Sequence, residues 1–278
     1  MSSESISTES LSPLGANQPV HKYLASVWQR RHFASALATS DLRDRHMDSI
    51  LGQIWHLLNP AMMITVYYFV FGLVLNAKRG IDHYVTFLVI GVVAFRLAQS
   101  IIIESASSMS KNLDLIRTIQ FPRSLIPISV AYQGLLDSLP GFGLAVLISS
   151  IEGVPITWRI LLLPIFLFAA SLFSLGLGFI AARIGSSFPD LQQILPHVFR
   201  ILFYISGVLY RPSGAISNPT MRLIMALNPM HGLLEVVRWT VLGHSIHVAS
   251  IVSIATFLVI GLIGGFFFFK QAEFRYGA

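Results

Sequence analysis

Three full charges sit inside stretches of sequence that are otherwise apolar: Arg96, Asp137 and Arg200. A charge in hydrocarbon is costly, so such residues pair with one another, snorkel to the interface, or line a water-filled path. Asp137 can pair with Arg96 or with Arg200, and the sequence leaves both partners open. Aromatic side chains accompany them at Tyr67, Tyr68, Phe69, Phe71, Phe87, Phe95, Tyr132 and Phe142. Aromatic faces stack well on sugar rings, but core packing and interfacial belts account for most such residues. The candidates for a translocation path are Tyr67, Tyr68, Phe71, Phe95, Arg96, Tyr132, Asp137 and Arg200.

Other chemistry is missing. There is no HExxH, no GxSxG, no Cys/His cluster and no carboxylate pair at useful spacing, so no catalytic or metal site is expected. There is no GxxxxGK[ST] phosphate loop either, so any ATP that drives the protein is handled by another polypeptide. Cysteine is absent, which excludes disulfides and thiolate metal sites.

The elements around these charges are set by composition. Of 278 residues, 54% are hydrophobic and 12% charged, and mean hydropathy is +0.69. Soluble domains carry about 25% charged residues. Residues 60–77, 160–182 and 248–269 contain no Asp, Glu, Lys or Arg. A helix needs about 20 apolar residues to cross a bilayer. Six spans are expected, at 58–77, 84–103, 125–151, 160–182, 191–210 and 249–269. The net charge of +6 then reports topology and headgroup contact and does not argue for nucleic acid.

Orientation follows from Lys and Arg. One side holds Lys22, Arg30, Arg31, Arg43, Arg45, Lys111, Arg117, Arg123, Lys270 and Arg275. The other holds Lys78, Arg79, Arg159, Arg211, Arg222 and Arg238. The excess places both termini in the cytoplasm. Residues 1–20 are Ser-rich without an apolar signal region and read as disordered. Residues 21–57 form a cytoplasmic lead, 58–269 the six-span domain, and 270–278 a cytoplasmic tail.

Two segments between spans carry their own pattern. Over 42–58, Met47, Ile50, Leu51, Ile54, Leu57 and Leu58 share one helical face, with Arg45, Asp48, Gln53 and His56 on the other. With Trp28, Arg30 and Arg31 before it, this predicts a helix in the cytoplasmic headgroup layer. Residues 211–247 are too apolar for a plain loop and too short in each half to span. They predict two short helices re-entering the outer leaflet around Asn228-Pro229. Gly261 and Gly265 form a GxxxG, which serves intramolecular packing or dimerisation equally well.

Several segments are similar to one family. Ser49-Ile50-Leu51-Gly52 with Trp55 and Asn59-Pro60 matches S-x-L-G-x-x-W…N-P. Asn112-Leu113…Phe121-Pro122-Arg123…Pro127 is similar to N-x-L-I-x-x-x-x-F-P-R-x-x-x-P. Asp190-Leu191, Ser206-Gly207-Val208-Leu209-Tyr210, Asn228-Pro229 and Arg238 follow in order. Over about 41–275 the chain resembles the ABC-2 type transporter permeases, most like the branch exporting O-antigen, capsule, teichoic acid and cell-wall galactan. It departs from the family's usual Tyr-Arg at His46-Met47, and from its Arg-Asp at Pro189-Asp190.

The resemblance implies an all-α integral membrane protein of the bacterial cell membrane with six transmembrane helices, an N-terminal amphipathic interfacial helix, a cytoplasmic coupling helix and re-entrant outer helices. It implies a homodimer working with two copies of a separate ATPase, which carries the ATP and Mg. The cargo would be a polyprenyl-diphosphate-linked polysaccharide. Asn112, Leu113, Leu115, Ile116, Phe121, Pro122 and Arg123 would couple to the ATPase. Trp28, Arg30, Arg31, Arg45 and Trp55 would form the substrate entrance. Asn228, Pro229 and Arg238 would form the outer gate. Rival readings are a drug or small-lipid exporter of the same superfamily, a secondary transporter, for which an internal repeat is lacking, and a membrane transferase, for which catalytic carboxylates are lacking.

Overall fold

A computed structural model describes residues 19–44, 55–76, 78, 80–211, 218–273 and 276. Among them every regular element is helical. The Ser-rich start and most of the amphipathic 42–58 segment, Arg45 included, lie outside the described residues.

The chain opens with α1 (Val20–Gln29) and α2 (Arg31–Asp44). Next comes α3 (Trp55–Tyr67), which runs on as a π-helical stretch over Tyr68–Val74. The long α4 (Tyr84–Lys111) is followed by the short α5 (Leu113–Thr118) and by α6 (Leu125–Ile151). A 3-10 turn at Trp158–Leu162 leads into α7 (Leu163–Ser187), then α8 (Leu191–Ile205). Two short helices, α9 (Pro219–Ala226) and α10 (Pro229–Leu242), precede α11 (Val248–Gln271).

Among the described residues, four helices are long and apolar enough to cross a membrane: α4, α6, α7 with its 3-10 lead, and α11. The π-extended α3 and the 15-residue α8 occupy the first and fifth expected spans. The short α9 and α10 occupy the apolar stretch between the fifth and sixth.

Helix α4 is the hub. Phe87, Leu88, Ile90, Phe95, Leu97, Ile101 and Met109 on it are fully buried, against α6, α7, α8 and α10. Helix α11 is the opposite case. It is the most hydrophobic of the four, yet only 17% of its most apolar window is buried, and Val252, Ile260, Ile263 and Phe267 point outward. An apolar face this continuous needs lipid as its solvent. The chain is an integral membrane protein.

Several polar side chains inside the helices are satisfied within the chain, as hydrocarbon favours. Ser108 and Ser129 return their hydroxyls to the carbonyls of Ser105 and Ile126, at 2.7 Å each. At the start of α4, Glu152 accepts from the Thr86 N–H at 2.8 Å and the Val85 N–H at 3.4 Å. A carboxylate there satisfies orphan donors and complements the helix dipole. The GxxxG pattern is used inside the chain. Gly261 and Gly265 face Gly176 of α7, where an added Cβ would stand 2.5 Å from the Leu262 nitrogen.

Candidate functional site

The intramembrane charges do not all meet. Arg96 and Asp137 line one cleft of about 210 Å³ between α3, α4 and α6, together with Trp55, Asn59 and Pro60. The Trp…Asn-Pro segment thus forms one wall of the cavity that holds the two charges. Arg96 also lies 3.3 Å from the Met63 sulfur. Ser138 lines the cleft as well, but its hydroxyl returns to the Leu135 carbonyl at 2.8 Å. Gly134 on the cleft wall lets α6 pack closely on α4, since a Cβ there would stand 2.6 Å from Ile101. Arg200 is not part of the cleft.

Arg200 sits instead on the open face of α8. Gln193, His197, Arg200 and Tyr204 recur at spacings of four, three and four, and all are exposed. The opposite face carries Phe199 and Phe203, buried edge-on against Phe95 with ring centroids 6.1 and 5.2 Å apart. Of these four, only Arg200 stands out in the sequence as a full charge. The polar stripe was legible from its helical spacing once α8 was taken as a two-faced helix.

The aromatic candidates divide. Phe95 has no exposed surface. Tyr67 and Phe71 are half-buried on α3 and its extension, in ring contact with Phe203 at 5.2 Å and Tyr204 at 6.5 Å. Tyr68 packs on Tyr84 at 6.4 Å. Tyr132 on α6 is 40% exposed.

At one end of the bundle, the segment after α4 is held from three directions. Asn112 ends α4 and begins α5. Ile116 and Phe121 are buried, with Phe121 5.0 Å from Phe33 of α2. Pro122 is buried too, and Leu115 is half-buried. The outward surface therefore comes from Leu113, Asp114, Arg117, Thr118 and Ile119. Arg30 donates to the Gln120 carbonyl at 2.6 Å.

Behind this loop lies a contact set that the sequence reading missed. The Tyr23 hydroxyl donates to Glu273 Oε1 at 3.0 Å and accepts from the Ser124 N–H at 3.4 Å. The Arg123 N–H donates to the same Glu273 oxygen at 3.0 Å, and its guanidinium donates to the Glu273 carbonyl. Lys270 stands 4.9 Å over the Tyr23 ring. Burial and the Glu273 charge push the Tyr23 phenol well above its usual range, so it remains a neutral donor. The entrance set is split between two places. Arg31 covers exposed Trp28 at 4.9 Å near the loop, whereas Trp55 lines the charged cleft.

At the other end, the residues expected at the outer gate converge. Asn228 caps α10 by accepting from the Met230 N–H at 3.0 Å, and donates to the Ser206 hydroxyl at 3.0 Å. Pro229 takes the first helical position, where a missing N–H costs nothing. Arg238 is buried. It donates to the carbonyls of Gly207 at 2.9 Å, Val208 at 2.7 Å and Phe87 at 3.3 Å, and lies 3.4 Å above the Phe87 ring. His231 adds a 2.9 Å contact to the Ser206 carbonyl. These bonds bolt the turn after α8, where Gly207 adopts φ 74, onto α10 and the start of α4. A cation at the last carbonyls of a helix is favoured by the helix dipole.

Among the described residues, no cluster of His, Cys, Asp or Glu could hold a metal ion. What the arrangement offers is a charged cleft, a polar helix face, an exposed loop after α4 and a bolted far end, in a lipid-facing bundle.

Residues 34–242 match the ABC-2 type transporter family. The chain is 28% identical over 214 residues to the O-antigen export system permease protein RfbA of Myxococcus xanthus, covering 77% of this chain and 81% of that one. It is 27% identical over 176 residues to the Klebsiella pneumoniae protein of the same name, covering 63% and 67%. It is 23% identical over 253 residues to the polysialic acid transport protein KpsM of Escherichia coli, covering 86% and 92%. With a family match across most of its helices, this chain belongs to the ABC-2 type transporter family.

Proposed function

We propose that this chain is the transmembrane subunit of an ATP-driven exporter that moves a polyprenyl-diphosphate-linked polysaccharide out of the cytoplasm. Two copies form the path, and two copies of a separate ATPase, carrying ATP and Mg, dock beneath. The observation that carries the reading is the likeness, over most of the chain, to permeases named for O-antigen export and polysialic acid transport.

The polar face of α8 supports it. Gln193, His197, Arg200 and Tyr204 are exposed on a single chain, and an arginine facing lipid would be expensive. Facing a second copy across a hydrated path removes that cost. The half-buried Tyr67 and Phe71 flank this face and offer rings to passing sugars. The exposed face of α5 is where the ATPase would seat. In this reading α3 with its extension and α8 complete six spans, both termini and the α5 loop are cytoplasmic, α9 and α10 re-enter the outer leaflet, and the host membrane is the bacterial inner membrane.

The test is depletion of the chain in its host. Lipid-linked glycan should accumulate on the cytoplasmic side and surface polymer should fall. Unchanged surface polymer, with new sensitivity to hydrophobic drugs, would replace this reading with that of a drug exporter.

A further inference from the structure

A basic cavity lies beside the Arg238 contacts. It measures about 390 Å³ and lies between the first turn of α4, Arg211 beyond α8, α9, α10, the loop after α10 and the start of α11. It sits at the far end of α4 from the α5 loop. Phe87 on its wall is in the first turn of a 28-residue helix that rises about 42 Å. Its wall carries Arg211, Arg222 and Arg238, with His244 and His247 beside them, and one acid, Glu235. Only 12% of the whole chain is charged, so three arginines around one cavity are a concentration, not a background.

We propose that this cavity is an anion site for a phosphoryl group, belonging to a lipid headgroup or to free phosphate. Two further observations point the same way. Arg238 is 3% exposed, and its Nε has no hydrogen-bond partner among the described residues. A buried guanidinium N–H without an acceptor is costly, and its charge stands at the wall of the cavity. The cavity is also electropositive. Burial, with Arg211 and Arg238 next in order, holds the His244 imidazole down to about 4. Arginine is the suitable donor, since its planar fork matches phosphate oxygens. Leu223 and Met225 on the same wall offer apolar surface for the stem of a lipid. The inference rests on the charge and shape of the cavity, not on the export reading.

The test uses the full chain purified in detergent and in nanodiscs. Inorganic pyrophosphate is titrated by calorimetry, with acetate as a single-charge control. Phosphatidic acid in phosphatidylcholine nanodiscs is scored by native mass spectrometry. Arg211→Gln and Arg222→Gln are made together, with Arg211→Lys as the charge-retaining variant. The expected result is binding of at least one phosphoryl probe, weakened about tenfold or more in the double glutamine variant and partly retained in Arg211→Lys. Pyrophosphate binding alone assigns a free anion, and phosphatidic acid binding alone assigns a headgroup. Binding of neither probe, equal binding by the variant, or acetate binding as strong as pyrophosphate binding overturns the proposal. Unchanged surface polymer on depletion of the chain, with phosphoryl binding intact, would count against the export reading alone.

Discussion

Tyr23 and Glu273, 250 residues apart, share a hydrogen bond of 3.0 Å beneath the loop that follows α5. The same carboxylate oxygen takes the Arg123 N–H at 3.0 Å. One buried acid thus ties the first helix, the Phe121-Pro122-Arg123 turn and the end of α11 together, and the exposed face of α5 is presented on that support.

Tyr23→Phe removes one donor to Glu273 and should cost about 1 kcal/mol. Glu273→Gln removes the charge that strengthens both bonds and should cost more. The pair should be non-additive by more than about 0.5 kcal/mol, since they share an oxygen. Thermal unfolding of the single and double variants in detergent measures this. Simple additivity would show that the contact does not carry the support.

The α5 segment separates docking from folding. Arg117→Glu and Ile119→Asp change exposed residues and should release the co-purifying ATPase while the thermal midpoint stays within about 2 °C of the parent. Phe121→Asp puts a carboxylate against Phe33 and should cost a few kcal/mol of stability, whether or not a partner is present. If the two exposed variants keep both ATPase and export, α5 is not the docking element.

Asp137 and Arg96 line one cleft, and Arg200 does not. Asp137→Asn should therefore lower stability by about 1–3 kcal/mol. Arg96→Gln in the same chain should recover much of that loss, and Arg200→Gln should recover none. Rescue by Arg200→Gln would reverse the pairing. A fully stable, fully active Asp137→Asn protein would remove the pair from both structure and path.

Arg238→Lys keeps the charge but loses the fork that reaches the Gly207, Val208 and Phe87 carbonyls. It should destabilise by about 1–3 kcal/mol. Gly91→Ala should mimic it, because its Cβ would stand 2.5 Å from the Arg238 guanidinium. Matching losses in unfolding scans are expected, and a neutral Gly91→Ala would mean the guanidinium has room to shift.

His244, in the loop between α10 and α11, is held down to about 4 by burial first and then by Arg211 and Arg238. Its ordinary value is about 6.5. Between those values the unfolded chain binds the proton and the folded chain does not. Its contribution to stability is therefore full above pH 6.5 and is lost as pH falls towards 4. Replacing it by Gln should flatten the fall in thermal midpoint across that window. Identical pH profiles would show that the imidazole titrates normally.

The amino-acid sequence determined the solvent and the elements of this protein. Runs such as 160–182 and 248–269 are apolar over a bilayer's thickness, and only a helix there satisfies its own backbone. The order Asn112…Phe121-Pro122-Arg123, Asn228-Pro229, Arg238 also carried the family, because local motifs survive in one dimension. Tertiary structure decided which distant groups meet. It placed Arg96, and not Arg200, in the cleft with Asp137 and turned Gly261 and Gly265 onto Gly176. It also buried Phe95, used Glu152 to cap α4, and closed Tyr23 onto Glu273. Those choices rest on which helix faces pack together. That depends on side-chain volumes summed over the whole bundle, and no local spacing encodes it.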